Sequence, residues 1–371
     1  MEVYEAKVGE DCTTFVAGAF SDQAVLAGRV VNASEGGNDG FLVKVDRDGH
    51  ASWVLLVGDS NAGGDQIGHV KPDSNGGAYF TGFVKDPDFG YTNVIGAVDA
   101  DGVLRWTRGL DGEAIPTISP QGYPRALVQA PGRIDLVDID APSGQLITAM
   151  EVAFGSLEAA AEIQGRFGML VAFNQSATLA GIPVERPGYA VAIVSVDANR
   201  NRGLLGVFDT PELQIWHASA AVAPNGEFAA ALGFTGPFDF GNGVYVSPPL
   251  SDEQGLSVGL LGVDAEGGDP RTAAALSTGS MRAIAVTARP DREVRALFGI
   301  SNAVTNVEGQ DIGGGGAESR AYLDLLGDDH LAATPTQADG MWAQDDGSAL
   351  TRTQEGSGAD KTVTITWVTD Q

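Results

Sequence analysis

Gly40-Phe-Leu-Val-Lys-Val-Asp46-Arg-Asp-Gly49-His-Ala-Ser-Trp53 returns further along the chain as Val94-Ile-Gly-Ala-Val-Asp99-Ala-Asp-Gly102-Val-Leu-Arg-Trp106. Gly49 to Gly102 and Trp53 to Trp106 both span 53 residues. In each copy an Asp-x-Asp-Gly element separates two apolar runs. That pattern marks a hairpin, because Asp and Gly accept the positive φ of a tight turn. The strand and turn return in Ala190–Asn199, Ser257–Gly267 and Arg320–Gly327, more faintly in Val137–Gly144, and a last strand lies in Lys361–Asp370. A second kind of hairpin precedes them, in Val70–Gly82 and Val222–Gly233. Two hairpins make a four-stranded unit of roughly 35 to 65 residues, the size of a propeller blade.

The fold expected is therefore all-β, a seven-bladed β-propeller of four-stranded antiparallel blades. The blades fall at about 12–58, 64–110, 121–155, 157–208, 212–276, 279–333 and 336–371. The last unit ends after its third strand. Glu2–Asp11 resembles Ser52–Ser60, the outer strand of the first full unit, with Tyr4 in the place of Trp53. The N-terminal strand (1–10) is thus expected to complete the last blade and close the ring, which would remove an exposed sheet edge.

Composition supports many short strands. Glycine accounts for 51 of 371 residues, about twice the usual ~7%. Apolar residues make up 43%, enough for a packed core. Lys and Arg number 22 against 49 Asp and Glu, a formal charge of −27. Nucleic-acid binding needs a basic surface that this chain lacks, and anionic membranes are disfavoured for the same reason. No apolar run is long enough to span a bilayer, so membrane insertion is not expected. Met1-Glu2-Val3-Tyr4-Glu5 has neither the basic nor the apolar segment of an export signal. Two readings follow: a cytosolic protein, or one that is secreted, extracellular or periplasmic with its export signal absent from this chain. The second is the expectation adopted. Cys12, the sole cysteine, excludes an internal disulfide and reads as a buried small apolar residue.

The unit resembles the bacterial β-propeller repeats known as SBBP repeats. In these, a strand ending in Thr-Gly is followed by Phe-Val-x-Lys-x-Asp-x-x-Gly-x-x-x-Trp. Tyr79-Phe-Thr-Gly82, Phe41-Leu-Val-Lys44-Val-Asp46 and Trp53 carry the likeness, and Phe234-Thr-Gly-Pro-Phe-Asp-Phe-Gly241-Asn-Gly243 is similar to a stretch common in myxobacterial and other delta-proteobacterial copies. The third, fourth, sixth and seventh units lack the Trp and often the Lys. The resemblance implies a secreted or surface-associated propeller with no defined activity, since the motif residues are turns and core.

Candidate sites follow from what the repeat does not explain. Trp53 and Trp106 recur with the unit and read as packing residues. Tyr123, Arg125, Trp216, His217, Arg282 and Trp342 do not recur, and are expected at or just before the innermost strands, around one mouth of the channel. There they could stack a sugar or hold an anion. The turns Asp46–Gly49 and Asp99–Gly102 offer carboxylates to Ca²⁺, although hairpin geometry alone explains them. No other cofactor is implied. His50, His69, His217 and His330 show no metal-ligand spacing, and the Gly313–Gly316 run reads as a loop. No catalytic motif stands out. The leading reading is a non-catalytic secreted or cell-surface scaffold that binds a protein partner or self-assembles, through loops at Ala180–Tyr189, Phe238–Gln254 and Asn302–Glu318. The alternatives are a carbohydrate-binding propeller using Tyr123, Trp216 and Trp342, and, with least support, a hydrolase.

Overall fold

The computed structural model describes residues 1–33, 37–58, 64–86, 90–210, 212–240, 244–246, 257–267, 270–275, 280–288, 294–301, 304–307, 310–313, 319–325, 331–336, 340–344, 349–355 and 362–368. Among the described residues every regular element is a strand. The chain divides into two compact units, one built on Met1–Glu151 and the other on Val152–Glu355 with Thr362–Gln371.

The first unit begins with β1 (Glu2–Val8), β2 (Thr14–Ser21), β3 (Gln23–Leu26), β4 (Arg29–Asn32), β5 (Asn38–Val45) and β6 (Ala51–Val57). They form a four-stranded antiparallel sheet in the order β1-β2-β5-β6, while β3 and β4 pair with each other as a side hairpin. Next come β7 (Gln66–Pro72), β8 (Ala78–Asp86), β9 (Gly90–Val98) and β10 (Leu104–Leu110), a four-stranded meander. β11 (Glu113–Ile118), β12 (Pro124–Ala130), β13 (Arg133–Ile139) and β14 (Leu146–Phe154) follow in the same order. Alternation along these strands buries Phe15, Leu42 and Trp53 against Ile67, Val70 and Phe80 of the next sheet. Tyr79, Ile95 and Trp106 are buried in the same way with Ala126, Val128 and Val137.

The second unit starts with β15 (Ser156–Ile163), β16 (Arg166–Leu179), β17 (Ile182–Val196) and β18 (Arg202–Asp209). The end of β14 joins this sheet at the single pair Ala153↔Leu179. β19 (Gln214–Val222), β20 (Phe228–Thr235), β21 (Pro237–Asp239), β22 (Val244–Val246), β23 (Ser257–Val263) and β24 (Arg271–Ala275) repeat the first sheet's plan. The order is β19-β20-β23-β24, and β21–β22 is the side hairpin. β25 (Ser280–Ala288), β26 (Val294–Ser301), β27 (Val304–Val307), β28 (Gln310–Gly313), β29 (Ser319–Leu325) and β30 (Leu331–Pro335) do so again, with β27–β28 aside. The last sheet is β31 (Gly340–Ala343), β32 (Ala349–Glu355) and β33 (Thr362–Val368). Phe228, Phe234 and Leu261 fill the interface with Leu170 and Ile193 of the preceding sheet, and Leu260 and Val258 pack with Phe298 and Val286 of the following one.

One turn recurs in several of these hairpins. The first residue donates its amide to the carbonyl four residues on, and the fourth residue's amide returns to the carbonyl of the first. Asp46–His50, Asp73–Gly77, Asp99–Val103, Ser119–Tyr123, Asp197–Asn201 and Ala223–Glu227 all obey it. Asp46 Oδ1 accepts the amides of Asp48 and His50, and Asp99 Oδ1 those of Asp101 and Val103. Asp46 and Asp99, two of the carboxylates read as possible Ca²⁺ donors, are thus engaged in stabilising their own turns. The fourth position has positive φ, hence Gly49, Gly76, Gly102, Gly122 and Gly226, while Arg200 holds it at +72° in Asp197–Asn201.

The N-terminal strand corrects the expected ring closure. β1 pairs with β2 from Glu2↔Ala19 to Val8↔Thr14 and is the first strand of the first sheet, not the fourth strand of the last. Two features hid this. The β1–β2 turn, Gly9–Thr13, has the same hydrogen bonds as the others, but Cys12 stands at φ +58° where five of the six others carry glycine. The β3–β4 hairpin meanwhile supplied apparent strands that filled a four-stranded count without β1. Cys12 is accordingly exposed in a turn and not buried.

The recurrent Trp latches one sheet to the next. Trp53 Nε1 donates to the Ala100 carbonyl at 2.9 Å, and its ring lies over Gly102. Trp106 Nε1 donates to the Ala141 carbonyl at 2.7 Å, and its ring lies over Gly144. In the second unit Gly267 lies against the Leu205 backbone instead, with the Leu205 carbonyl oxygen nearest.

Candidate functional site

The first strand of a sheet has one edge free of ladder partners, so the residues it displays are available for other work. Five of these strands share a device that the sequence did not reveal: a β-bulge midway along. The register slips at Val3/Glu5, Ile67/His69, Leu157/Ala159, Ile215/His217 and Ala283/Ala285. The extra residue is Tyr4, Gly68, Glu158, Trp216 or Ile284. A bulge re-aims neighbouring side chains that would otherwise alternate between faces.

At β19 the bulge leaves two successive side chains, Trp216 and His217, both exposed. Trp216 is 52% accessible, and its Nε1 donates to Thr235 Oγ1 at 3.3 Å. That bond fixes the indole while leaving much of its surface open. At β15 burial pushes the Glu158 carboxyl above its usual range, against a hydrogen bond from Ser156 that pulls it down. Burial, and then the charge of Glu158, push the Tyr189 hydroxyl up to about 12.

In the first unit the bulges place Glu5 of β1 beside His69 of β7. Glu5 Oε2 accepts the Val70 amide at 2.6 Å and lies 3.6 Å from His69 Nδ1. The carboxylate thereby satisfies an amide on the free edge of the neighbouring sheet. Burial works to raise the Glu5 pKa, but the hydrogen bond and charge of His69, then Lys7 and the Val70 amide, hold it below the usual value. Burial works to lower the His69 pKa, yet bonding to Glu5 and its charge, aided by Glu113 and opposed by Lys7, hold it above the usual value.

Tyr123 and Arg125 require correction. The third sheet starts at Glu113, so Tyr123 lies in the turn between its first and second strands, where it is 57% accessible. Arg125 lies on the second strand, only 7% accessible, with Nε 2.7 Å from Asp138 Oδ1. A guanidinium already paired and buried has little left for a ligand. Arg282 lies on β25 and Trp342 on β31, but their side chains are outside the described residues, as are His330 and 314–316.

Protruding hairpins form the second candidate surface. β3–β4 leaves its sheet between the second and third strands, and its cross-strand pair Val25↔Val30 is 59% and 62% accessible. Arg29, at the β3–β4 turn, reaches the Ser52 carbonyl of β6 at 2.9 Å, which ties the hairpin down. The β16–β17 hairpin extends to a tip at Ala180–Gly181, beside which Ile182 is half exposed. β21–β22 and β27–β28 leave their own sheets at the same point in the strand order.

No protein-family model matches the chain, and no curated protein matches it in sequence. Its structure is similar to that of an ulvan lyase of a polysaccharide lyase family, bound to -[GlcA(1-4)Rha3S]-, with a TM-score of 0.51 and 8% identity over 98% of this chain and 91% of that one. The β-propeller domain of Cps50 (Swd1) from Myceliophteria thermophila superposes with a TM-score of 0.48 and 10% identity, over 99% of this chain and 97% of that one. The Dos1 propeller gives 0.42 and 10%, over 95% and 88%. At such identities the first likeness speaks of fold alone, and the other two superpose too loosely to bear an argument.

Proposed function

We propose that the chain is a β-propeller of seven blades, of the repeat kind its sequence resembles, and that it works outside the cell or at its surface as a protein-interaction module. The observation that carries this reading is the Val25–Val30 pair. Two β-branched apolar side chains held in water on a tethered hairpin contribute little to a core. They are the kind of contact a partner protein covers. A photo-crosslinking residue at Val25 tests it. The expected result is an adduct with one defined polypeptide, absent when the same residue replaces Leu56 and absent in Val30→Lys. Adducts that do not depend on position would overturn the reading.

A second reading, glycan binding, is favoured by Trp216, whose exposed indole is oriented by Thr235 as a stacking platform. Glycan-array hits lost in Trp216→Ala would support it. An array without hits, or hits indifferent to that substitution, would remove it.

A further inference from the structure

β33 differs from its counterparts. In each full sheet the third strand is covered by a fourth, as β5 is by β6 and β29 by β30. β33 is the third strand of its sheet, and among the described residues it has no partner beyond β32. Its ladder with β32 is unbroken from Ala349↔Val368 to Glu355↔Thr362, with no bulge to twist the edge away. Thr362–Val368 contains no charge, proline or glycine, although the chain carries a net −27. The usual protections of an open edge are therefore missing.

The backbone also shows how the edge is directed. The Thr351 hydroxyl reaches the Thr366 carbonyl at 3.3 Å, so Thr366 turns its carbonyl toward β32. Main-chain groups of successive residues alternate between the two edges of a strand, so Ile365 presents its N–H and C=O to the open side. We propose that this edge is a self-association site, at which β33 pairs antiparallel with β33 of a second copy about a two-fold axis at Ile365. Ile365 then opposes its own copy and exchanges both main-chain hydrogen bonds with it. Thr364 faces Thr366 of the other chain, a favourable cross-strand pair. The uncharged segment lets two polyanions approach here without like charges meeting at the seam. A two-fold contact closes on itself and yields a dimer, not a filament. A seven-residue ladder buries far less than the ~1,600 Å² of a standard stable interface, so the dimer is weak and depends on concentration.

Sedimentation velocity on the full chain carrying Cys12→Ser tests this. A monomer–dimer equilibrium is expected. Ile365→Lys, which sets two like charges opposite each other at the axis, should weaken it by at least about tenfold with an unchanged far-UV circular dichroism spectrum. Independently of that variant's folding, Ile365→Cys in the Cys12→Ser background should give disulfide-linked dimers on mild oxidation. Val363→Cys, which would oppose Trp367 and lie four residues along the strand from its own copy, should not. A protein monomeric at all concentrations, a dimer indifferent to Ile365→Lys, or equal crosslinking at both positions would overturn the proposal. A fourth strand supplied by another part of the same chain would appear as the first of these outcomes.

Discussion

Gly102→Ala should cost markedly more stability than Gly49→Ala, although the two glycines occupy the same place in homologous turns with φ of +83° and +84°. The left-handed conformation costs a non-glycine residue ~1–2 kcal/mol, and both variants bear that equally. The surroundings differ. A Cβ on Gly49 meets nothing within 4 Å, whereas one on Gly102 would stand 2.6 Å from Trp53 Cγ. Trp53 cannot easily withdraw, because its Nε1 is held by the Ala100 carbonyl at 2.9 Å and its ring is buried against Phe15. Overpacking of this kind costs ~1–3 kcal/mol. The totals are then about 2–5 kcal/mol for Gly102→Ala and 1–2 for Gly49→Ala. Urea unfolding of both variants measures the difference. Repeating Gly102→Ala in a Trp53→Ala background should reduce its penalty to that of Gly49→Ala. Equal penalties at the two glycines, or a Gly102→Ala penalty unchanged without Trp53, would refute the latch.

Cys12→Gly should stabilise the protein by ~1–2 kcal/mol by relieving a left-handed non-glycine residue, measured by the same unfolding assay. Arg125→Leu should destabilise by ~3–5 kcal/mol, because it leaves the Asp138 carboxylate with its buried partner removed; any glycan binding should persist, checked on the array. The Glu5–His69 pair should leave a signature in pH. The raised His69 pKa contributes stability that is full below the unfolded value of about 6.5 and is lost as pH rises through the folded pKa. The depressed Glu5 pKa contributes stability present above the unfolded value of about 4.3 and lost as pH falls through its folded pKa. The stability difference between the wild type and Glu5→Gln should therefore be largest between these two values and shrink on either side. The His69 resonance, titrating above the ordinary value, should fall toward it in Glu5→Gln.

The sequence revealed what its turns encode. Asp and Gly at Asp46–Gly49 and Asp99–Gly102 are chemically distinctive, and so is Trp at a fixed distance after them, so hairpins and the residues latching sheets together were readable. Where the same turn is built from other residues, the signal fails. Gly9–Thr13 has the geometry of its homologues with Cys12 in glycine's place, and β1 was misassigned as a result. The bulges on the first strands of the sheets escaped for a different reason: one extra residue in a ladder is a property of pairing, and no composition marks it. Trp216 and His217 stood out because they break the repeat, yet their joint exposure depends on the bulge. Arg125 stood out for the same reason, and its partner Asp138 lies on another strand, beyond the reach of local pattern.

Whether β1 belongs to the first sheet is the point on which the whole strand order turns. A Val8→Cys/Thr14→Cys variant, made in the Cys12→Gly background, tests it most directly. Val8 and Thr14 are register partners, and directly opposed antiparallel residues lie about 4.5–5.5 Å apart at Cα, within disulfide range. The account predicts an intramolecular disulfide that forms on mild oxidation and raises the urea midpoint. Absence of that bond, together with a disulfide formed in a separate Val8→Cys/Ile365→Cys variant of the same background, would contradict it.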